Sequence, residues 1–507
     1  FAAMHRRPTT LVGLVLLLVA DSAAYTGGSP RLPLASRSRP ALAVLGQDAA
    51  DEVLSRRLAE ESTGTLLGAT ALVAGTTVGA GVLALPAKTL AAGFVPSSGA
   101  LLLCWVYMAA SGLLIAEVNV NTLCSLERDA VSITSMAEET IGEAGARLCG
   151  AAYVFIHYAL LVAYFLQGGA LLLELLPSDL PSMDLPAAPQ ALGAPLFALG
   201  VGIPIAIGST QLVEKVNSVL VGGVVLAFGC LLALGLPQVQ PELLAYVDAP
   251  EVVVALPVMV LSLVYHNVVP TICYQLGCDL PRIRTAVLAG SALPAFLFLL
   301  WNGIILGSVP PDAASAAAAG EVFDPLVQLR ASGGAFGELV RIFSLLAIVT
   351  STVGFVYGLV DFFADIIDTS LAKDDARLAA AAAGAPPASA AAEVESDAAA
   401  ASPLAPGSAL RQVALFGLVF LPPLLVAESD PSLFFTALDY AGAFGILSLF
   451  GIIPAAMAWQ QRYTPGAVSV APPALPGGRV TLVLMSAIAT AIIGLEVNEK
   501  LVPLFLG

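Results

Sequence analysis

Two apolar segments of the chain each carry, near their midpoints, residues that interrupt a helix. The first segment contains the run GTTVGAG at residues 75–81, with three glycines and two threonines. Glycine is less favourable than alanine inside a helix by about 1 kcal/mol, so the helix is expected to open here. Backbone groups freed at membrane depth need protein, water or a ligand as hydrogen-bond partners. The residues that we predict to hold a ligand at this break are Thr76, Thr77, Gly79, Ala80 and Gly81.

The second interruption lies in the run YHNVVP at residues 265–270. Pro270 lacks an N–H donor, and its ring clashes with the preceding helical turn. His266 and Asn267, which follow Tyr265, then lie at membrane depth, where polar side chains are costly and usually functional. We predict that these three side chains face the first break and contribute to the same site.

His266 has two interpretations. Its imidazole titrates near neutral pH, so it can respond to a coupling proton. Alternatively, it is a neutral residue that fixes the broken helix by hydrogen bonding. The sequence leaves both interpretations open.

Paired breaks of this kind have a defined chemistry. The N-terminus of a half-helix carries partial positive charge and free N–H groups, which suit a carboxylate. Exposed carbonyls on the other half suit an ammonium group or a cation. Interrupted spans at corresponding positions of two halves are typical of a transporter binding site. Glycines also allow close helix packing, but the second break at the matching position favours the site.

The elements that position these residues are membrane helices. Hydrophobic residues make up 58% of the chain and charged residues 11%. An apolar run of about 18 or more residues matches the ~30 Å hydrocarbon core of a bilayer. We therefore predict an all-α membrane protein. Its eleven predicted spans cover residues 64–86, 97–118, 148–176, 191–209, 216–236, 252–276, 283–309, 338–361, 412–427, 433–459 and 480–497.

The lysines and arginines of the connections predict the orientation of these spans. With the N-terminus inside, twelve lie on the inner side and four on the outer side. Such an excess of positive charge is typical of the inner side. Lys88 is expected to extend towards the outer interface, and Glu117 is expected to be a solvated or interfacial charge.

Other functional classes lack their signatures. There is no HExxH motif, no nucleophile elbow and no phosphate-binding loop, which argues against an enzyme or an ATP-driven pump. Nothing resembles a basic stripe for nucleic acid. The six cysteines fall mostly in or beside apolar spans rather than in paired spacing, so we expect no disulfide framework, metal site or cofactor.

Residues 1–47 are predicted to form a targeting presequence. A basic stretch after Met4 is followed by the apolar residues 11–20 and then by small residues suited to cleavage. Residues 25–45 contain arginines, serines and prolines but no acidic residue. A signal followed by such a transit-like stretch resembles the bipartite presequence of algae with secondary plastids. A plain signal peptide with a disordered stem is the alternative. Residues 379–410 are rich in alanine and are predicted to form a disordered inner-side loop within the transporter domain, residues 64–507.

The motifs together resemble the tryptophan/tyrosine permeases, also called hydroxy/aromatic amino acid permeases, of the amino acid–polyamine–organocation superfamily. The resemblance is carried in order by residues 75–86, 92–94, 265–272, 283–284, 301–303, 350–354, 421–423 and 437–442. Asn267 departs from the pattern, because bacterial members more often have glycine after the histidine. The presequence and the alanine-rich loop have no counterpart in the compact bacterial members.

The resemblance implies a leucine-transporter-like fold, with an inverted repeat of five plus five spans, one extra span, and broken helices 1 and 6. It also implies symport of an aromatic amino acid, such as tyrosine or tryptophan, typically driven by protons. Related folds place a sodium site between the first and eighth spans, so Thr350 and Ser351 are candidate ligands. Hydrogen bonds from these hydroxyls to their own helix are the alternative.

The sequence thus predicts a secondary active transporter that works by alternating access, with an amino acid and a coupling proton as its partners in the bilayer. Sodium-coupled transport of other neutral amino acids is one alternative. A non-transporting membrane sensor on the same fold is another. The presequence predicts the plastid envelope of an alga, or otherwise another membrane of the secretory route.

Overall fold

A computed structural model describes most of the predicted membrane portion. The described residues are 64–79, 81–126, 131–175, 190–311, 322–383, 409–430, 432–465, 467 and 469–502. The predicted presequence, Ala80 and residues 384–408 of the predicted alanine-rich loop lie outside them. Every regular element within the described residues is helical.

The first part of the chain forms eight α-helices in the order of the sequence. These are α1 (Leu66–Thr77), α2 (Gly81–Thr89), α3 (Phe94–Leu126), α4 (Ile133–Ile141), α5 (Glu143–Glu174), α6 (Gln190–Ile207), α7 (Thr210–Gly235) and α8 (Pro241–Leu244). A 3₁₀ turn, Leu236–Gln238, follows α7, and a 3₁₀ helix, Ala249–Ala255, leads into the next span.

The second part continues the same pattern. It contains α9 (Leu256–Ser262), α10 (Val269–Gln275), α11 (Leu280–Leu306), α12 (Pro325–Ala331), α13 (Gly334–Ala383), α14 (Ala409–Ser429), α15 (Leu433–Tyr440), α16 (Ile453–Tyr463) and α17 (Gly478–Glu496). A 3₁₀ turn, His266–Val268, precedes α10, and π-helical segments occupy Ala441–Ile452 and Val497–Leu501.

The helices have the length and composition of membrane spans. Among the described residues, nine are long and apolar enough to cross a bilayer, or ten if α1 and α2 count as one bent span. All eleven predicted spans coincide with helices, although the fourth contains a shorter apolar helix, Leu192–Ile207. The prediction of an all-α membrane protein is confirmed.

The chain divides into two compact units. The first comprises Phe1–Ile156, Leu232–Ser332 and Leu438–Gly507, and it contains both predicted breaks. The second comprises His157–Leu231 and Gly333–Ala437.

In the second unit, aromatic rings and glycines pack the helices together. Phe165 on α5 stacks on Phe420 on α14 with ring centroids 5.7 Å apart. The backbones of α5 and α6 come close at Gly169, where an added Cβ would lie 2.4 Å from the carbonyl carbon of Gly193. His157 contacts the Phe355 ring, with 4.8 Å between the two ring centroids.

In the first unit, an ion pair joins α3 to α16. The Glu117 side chain is fully buried, and its two oxygens each accept a hydrogen bond of 2.6 Å from the Arg462 guanidinium. Glu117 also accepts from the Ala474 backbone N–H at 2.6 Å. The expectation that Glu117 is a solvated or interfacial charge is therefore wrong. Its partner lies 345 positions away along the chain, where no local pattern reveals it.

The same face of α3 binds the connection between α16 and α17. Asn121 accepts from the backbone N–H groups of Val470 at 2.9 Å and Ala471 at 2.8 Å. Its amide donates to Gln461 at 3.0 Å. Backbone N–H groups of the connection thus donate to a side chain of α3, which satisfies polar groups that irregular backbone would otherwise leave unpaired.

Replacement of Glu117 tests the contribution of this pair. Glu117→Gln leaves the Arg462 charge buried without a carboxylate, so we expect the free energy of unfolding to fall by about 3–5 kcal/mol. Glu143→Gln is the matched control, because it breaks the exposed pair with Arg147 and should cost less than about 1 kcal/mol. Denaturation of the detergent-solubilised protein measures both. Equal losses in the two variants would contradict the assignment.

Candidate functional site

The first predicted break is present between α1 and α2. Helix α1 ends at Thr77, Val78 adopts an extended conformation, and α2 begins at Gly81 with its axis turned by 55°. Gly79 lies in the break, whereas Ala80 lies outside the described residues. The glycine-rich run opens the helix, as its low helix propensity predicts.

The second predicted break is present between α9 and α10. Helix α9 ends at Ser262, and regular α-helix resumes at Val269. Pro270 occupies the first turn of α10, a position where proline leaves no hydrogen bond unmade. Tyr265 and His266 therefore lie in irregular or 3₁₀ backbone between two half-helices.

The two broken spans run antiparallel along their length. At one end, the Gly64 N–H donates to the Gln275 carbonyl at 3.1 Å. At the other end, the Asp248 N–H donates to the Ala92 carbonyl at 2.9 Å.

The breaks meet halfway between these contacts. A Cβ added to Gly81 would lie 3.1 Å from the Ser262 hydroxyl oxygen and 3.2 Å from its Cα. Glycine thus allows the start of α2 to rest against the end of α9. The structure therefore brings together the two interruptions that the sequence predicted separately.

Helix α3 holds the second break in place. The Tyr265 hydroxyl donates to the Met108 carbonyl at 3.2 Å, and His266 Nε2 lies 3.1 Å from the same oxygen. Both side chains are fully buried. Tyr265 passes over Gly112, where an added Cβ would lie only 2.4 Å from the phenol oxygen. The site thus depends on a glycine of α3 that the sequence did not reveal.

The His266 imidazole stacks on two aromatic rings. The centroids of Tyr265 and Phe450 each lie 4.7 Å from the imidazole centroid, with 26° between the planes. Nε2 is close to the Met108 carbonyl, whereas the buried Nδ1 has no hydrogen-bond partner among the described residues. A buried polar atom without a partner is uncommon and needs an explanation, such as a bound water, a proton or a ligand.

Phe450 was not predicted as a site residue. It lies in the π-helical segment of the tenth span, and π-helical turns are often found at functional sites. No local pattern indicates a π-helix. The glycines Gly442, Gly445 and Gly451 are the only signal in the sequence of an unusual backbone.

The remaining predicted residues of these breaks differ in their environment. Thr76 and Thr77 end α1, and their hydroxyls donate to the carbonyls of Leu72 and Val73 at 2.7 and 2.8 Å. Their oxygen lone pairs are left as acceptors. Asn267 is exposed, whereas Tyr265 and His266 are buried.

Thr350 and Ser351 lie on α13 in the second unit. The Thr350 hydroxyl donates to the carbonyls of Leu346 at 2.9 Å and Ala347 at 3.1 Å. Ser351 hydrogen bonds with Tyr164. Thr350 thus makes the helix hydrogen bonds that were the alternative to sodium binding, and the sodium site stays a prediction.

A buried ionic cluster follows the first break along the chain. Lys88 and Lys500 donate to the same oxygen of Asp439, at 2.7 and 2.8 Å, and Lys500 pairs with Glu496 at 2.7 Å. Lys88 does not extend to the interface as expected, because its side chain is only 6% exposed. The cluster fixes α2 to the tenth and eleventh spans through two cations and two anions.

All six cysteines are free thiols. Cys278 follows α10 in a connecting turn, and its burial raises the pKa of the thiol to about 12. The thiol is thus protonated at neutral pH, and the reactive thiolate is scarce. Among the described residues, no group of three or more His, Cys, Asp or Glu side chains is arranged to hold a metal ion.

The chemistry of the paired breaks follows from their free backbone groups. The last carbonyls of α1 and α9 lack a continuing helical turn, and the first N–H groups of α2 lack a preceding one. Carbonyls attract an ammonium group, and the N–H groups of a helix start attract a carboxylate. The arrangement is suited to a small zwitterion that carries both charges on neighbouring atoms.

The sequence places these breaks within a known family. Residues 62–391 and 406–496 match the family described as the tryptophan/tyrosine permease family. The chain belongs to this family. The permease is therefore a membrane transporter rather than an enzyme.

Several bacterial proteins are similar to this permease over most of its length. The tyrosine-specific transport system 1 of Haemophilus influenzae is 27% identical over 84% of the chain and 95% of the relative. The tryptophan-specific transport protein of Shigella flexneri is 26% identical over 88% of the chain and 98% of the relative. A tryptophan-specific transport protein of Pseudomonas aeruginosa is 29% identical over 60% of the chain and 72% of the relative.

The close packing of α3 on Tyr265 can be tested by adding one methyl group to α3 at Gly112. Gly112→Ala places a Cβ against the phenol, so we expect the free energy of unfolding to fall by about 1–3 kcal/mol, as in an overpacked core. Gly99→Ala is the control on the same helix, because nothing lies within 4 Å of its added Cβ. Thermal unfolding of the two detergent-solubilised variants measures the difference. A Gly112→Ala protein as stable as the Gly99→Ala protein would contradict the described contact.

Proposed function

We propose that this permease is a secondary active symporter of an aromatic amino acid, such as tyrosine or tryptophan, that works by alternating access. The observation that carries the proposal is the meeting of two helix breaks in the first unit, with Gly81 against Ser262. Free backbone groups of both signs at one place favour a zwitterionic substrate. The relatives described as tyrosine- and tryptophan-specific transport proteins support an aromatic side chain on that substrate.

The carboxylate and ammonium groups of the substrate bind to backbone groups of the protein at the two breaks. The first N–H groups of α2 receive the carboxylate, and the carbonyls at the ends of α1 and α9 receive the ammonium group. Thr76 and Thr77 contribute acceptor oxygens beside the first break, together with Gly79, Ala80 and Gly81. Tyr265, His266 and Asn267 contribute from the second break, and the exposed Asn267 amide is available to a ligand.

The coupling ion is a proton, and His266 is the residue that binds it. The support is the buried Nδ1 atom without a described partner, beside an Nε2 atom that faces the Met108 carbonyl. With Nε2–H donating to this carbonyl, Nδ1 carries a lone pair that can accept a proton or a substrate N–H. Thr350 and Ser351 remain the candidate ligands if sodium is coupled instead.

The division of the chain supports the two-fold repeat. The first two predicted spans of each half lie in the first unit, and the next two of each half lie wholly or mostly in the second unit. The first four spans of each half thus share a unit with their counterparts, whereas the fifth span lies almost entirely in the second unit and the tenth almost entirely in the first. The eleventh span is an addition to this repeat.

Uptake into proteoliposomes tests substrate and coupling together. We expect labelled tyrosine or tryptophan to accumulate under an inward proton gradient without sodium. Accumulation that requires sodium would contradict proton coupling but not the transport proposal. No uptake under either gradient would overturn the transport proposal and favour the sensor.

Replacement of the histidines then tests the coupling residue. We expect His266→Gln to lose gradient-driven accumulation by at least roughly tenfold, since glutamine cannot bind and release a proton near neutral pH. His157→Gln, which lies in the second unit, should keep it. Unchanged proton-driven uptake by a folded His266→Gln protein would remove His266 from the coupling mechanism.

The proposed location is the plastid envelope of an alga, supported by the acid-free, arginine-containing residues 25–45 that follow the apolar signal. We expect residues 1–60 to direct a fluorescent protein to the plastid and the same segment without residues 25–45 to leave it in the secretory route. Secretion of both fusions would support a plain signal peptide.

A further inference from the structure

An apolar groove of about 600 Å³ lies between α16 and α17 on the outside of the first unit. Its wall on α16 includes Ala456 and Trp459, and its wall on α17 includes Val483, Ala487 and Ala491. The groove exists because small side chains on both helices leave space between them. It is remote in sequence from both helix breaks, and the proposed transport function does not use it.

Contacts on the opposite face of α17 keep the groove open. Ala489 is fully buried, and its Cβ lies 2.9 Å from the position of a Cβ added to Gly451 in the π-helical segment. The Tyr107 hydroxyl on α3 donates to the Met485 carbonyl at 3.1 Å. One face of α17 thus packs against the rest of the first unit, while the face beside the groove stays exposed.

The groove matches one leaflet of a bilayer in length and polarity. Its lining on α17 extends from Leu482 to Ala491, which is about 14 Å at 1.5 Å per residue. Half of the hydrocarbon thickness is about 15 Å. The hydroxyl of Thr490, which also lines the groove, donates to the Ser486 carbonyl at 2.8 Å within the helix. An acyl chain therefore fits this space better than water does.

A cation stands at one end of the groove. The Arg479 guanidinium lies in the first turn of α17, 5.6 Å from the ring centroid of Trp459 and 4.7 Å from that of Tyr463. The side chain is exposed, and it forms no ion pair with any described residue. Because Trp459 also lines the groove, the cation is joined to the apolar space by one side chain.

We propose that this groove binds an anionic phospholipid of the bilayer, with an acyl chain between α16 and α17 and the headgroup phosphate on Arg479. Guanidinium groups bind phosphate oxygens through two parallel N–H donors. Tryptophan and tyrosine are the aromatic residues typical of the membrane–water interface, so Trp459 and Tyr463 hold the arginine at headgroup level. The predicted orientation puts Arg479 on the inner side, so the lipid comes from the inner leaflet.

Fluorescence quenching tests the lipid directly. The full-length protein is placed in nanodiscs that contain increasing fractions of phosphatidylglycerol or phosphatidylcholine with dibrominated acyl chains. The chain has three tryptophans, and the difference from a Trp459→Phe protein isolates the emission of Trp459. We expect half-maximal quenching of Trp459 at a roughly five-fold lower fraction of phosphatidylglycerol than of phosphatidylcholine.

Two pairs of variants separate the headgroup from the chain. Arg479→Gln should remove the preference for phosphatidylglycerol, whereas Arg147→Gln, which removes an exposed arginine of α5, should keep it. Ala487→Phe fills the groove and should reduce quenching by both lipids. Ile488→Phe adds the same ring at an exposed position that does not line the groove and should leave quenching unchanged.

Three results would overturn the proposal. The first is equal quenching by the two lipids in the unmodified protein. The second is loss of the preference in Arg147→Gln to the same extent as in Arg479→Gln. The third is protection of Trp459 from both lipids in a protein that cross-links as a dimer through α17, which would assign the groove to a second copy of the chain.

Discussion

The described arrangement depends on the need to pair backbone polar groups inside a bilayer. A continuous helix satisfies its own N–H and C=O groups, and a break leaves several of each without a partner. Here the first and sixth spans run antiparallel, and their breaks come together where Gly81 rests against Ser262. The free groups are thereby concentrated in one region, where a ligand with two opposite charges can satisfy them.

Buried ion pairs fix the two ends of this loosened region. Lys88 and Asp439 pair where α2 ends, shortly before α3 begins at Phe94. Glu117 and Arg462 pair further along α3. At 1.5 Å per residue, the 23 residues from Phe94 to Glu117 span about 35 Å. The two pairs therefore lie far apart along α3, and each of them joins a span of the break region to the tenth span.

The sequence predicted local features well and distant partners poorly. Both breaks were predicted because glycine and proline act on the backbone of their own segment. Glu117 and Lys88 were placed wrongly, because their partners lie 345 and 351 positions away. A charged residue near the end of an apolar run is read as interfacial unless its partner is known.

Similar limits applied to the site residues. Tyr265 and His266 were predicted from their polarity. Their hydrogen bonds to the Met108 carbonyl, and the contact of Tyr265 with Gly112, could not be predicted because they depend on how two spans pack together. The hydroxyls of Thr76 and Thr350 were read as possible ligands, and in the structure both donate to their own helices. Hydroxyl groups have this choice at every helical position, so residue type alone does not decide between the two roles.

The separation of Glu117 from Arg462 has a consequence for biosynthesis. At about 5–20 residues per second, a ribosome needs roughly 20–70 s to add the 345 residues between them. During that time α3 has already left the translocon with a carboxyl side chain whose arginine has not been made. A charged group costs about 3 kcal/mol to insert at the centre of a span and less towards its end, where Glu117 lies, and the apolar remainder of α3 has to offset this cost alone. The polypeptide must be nearly complete before its second span acquires its final electrostatic partner.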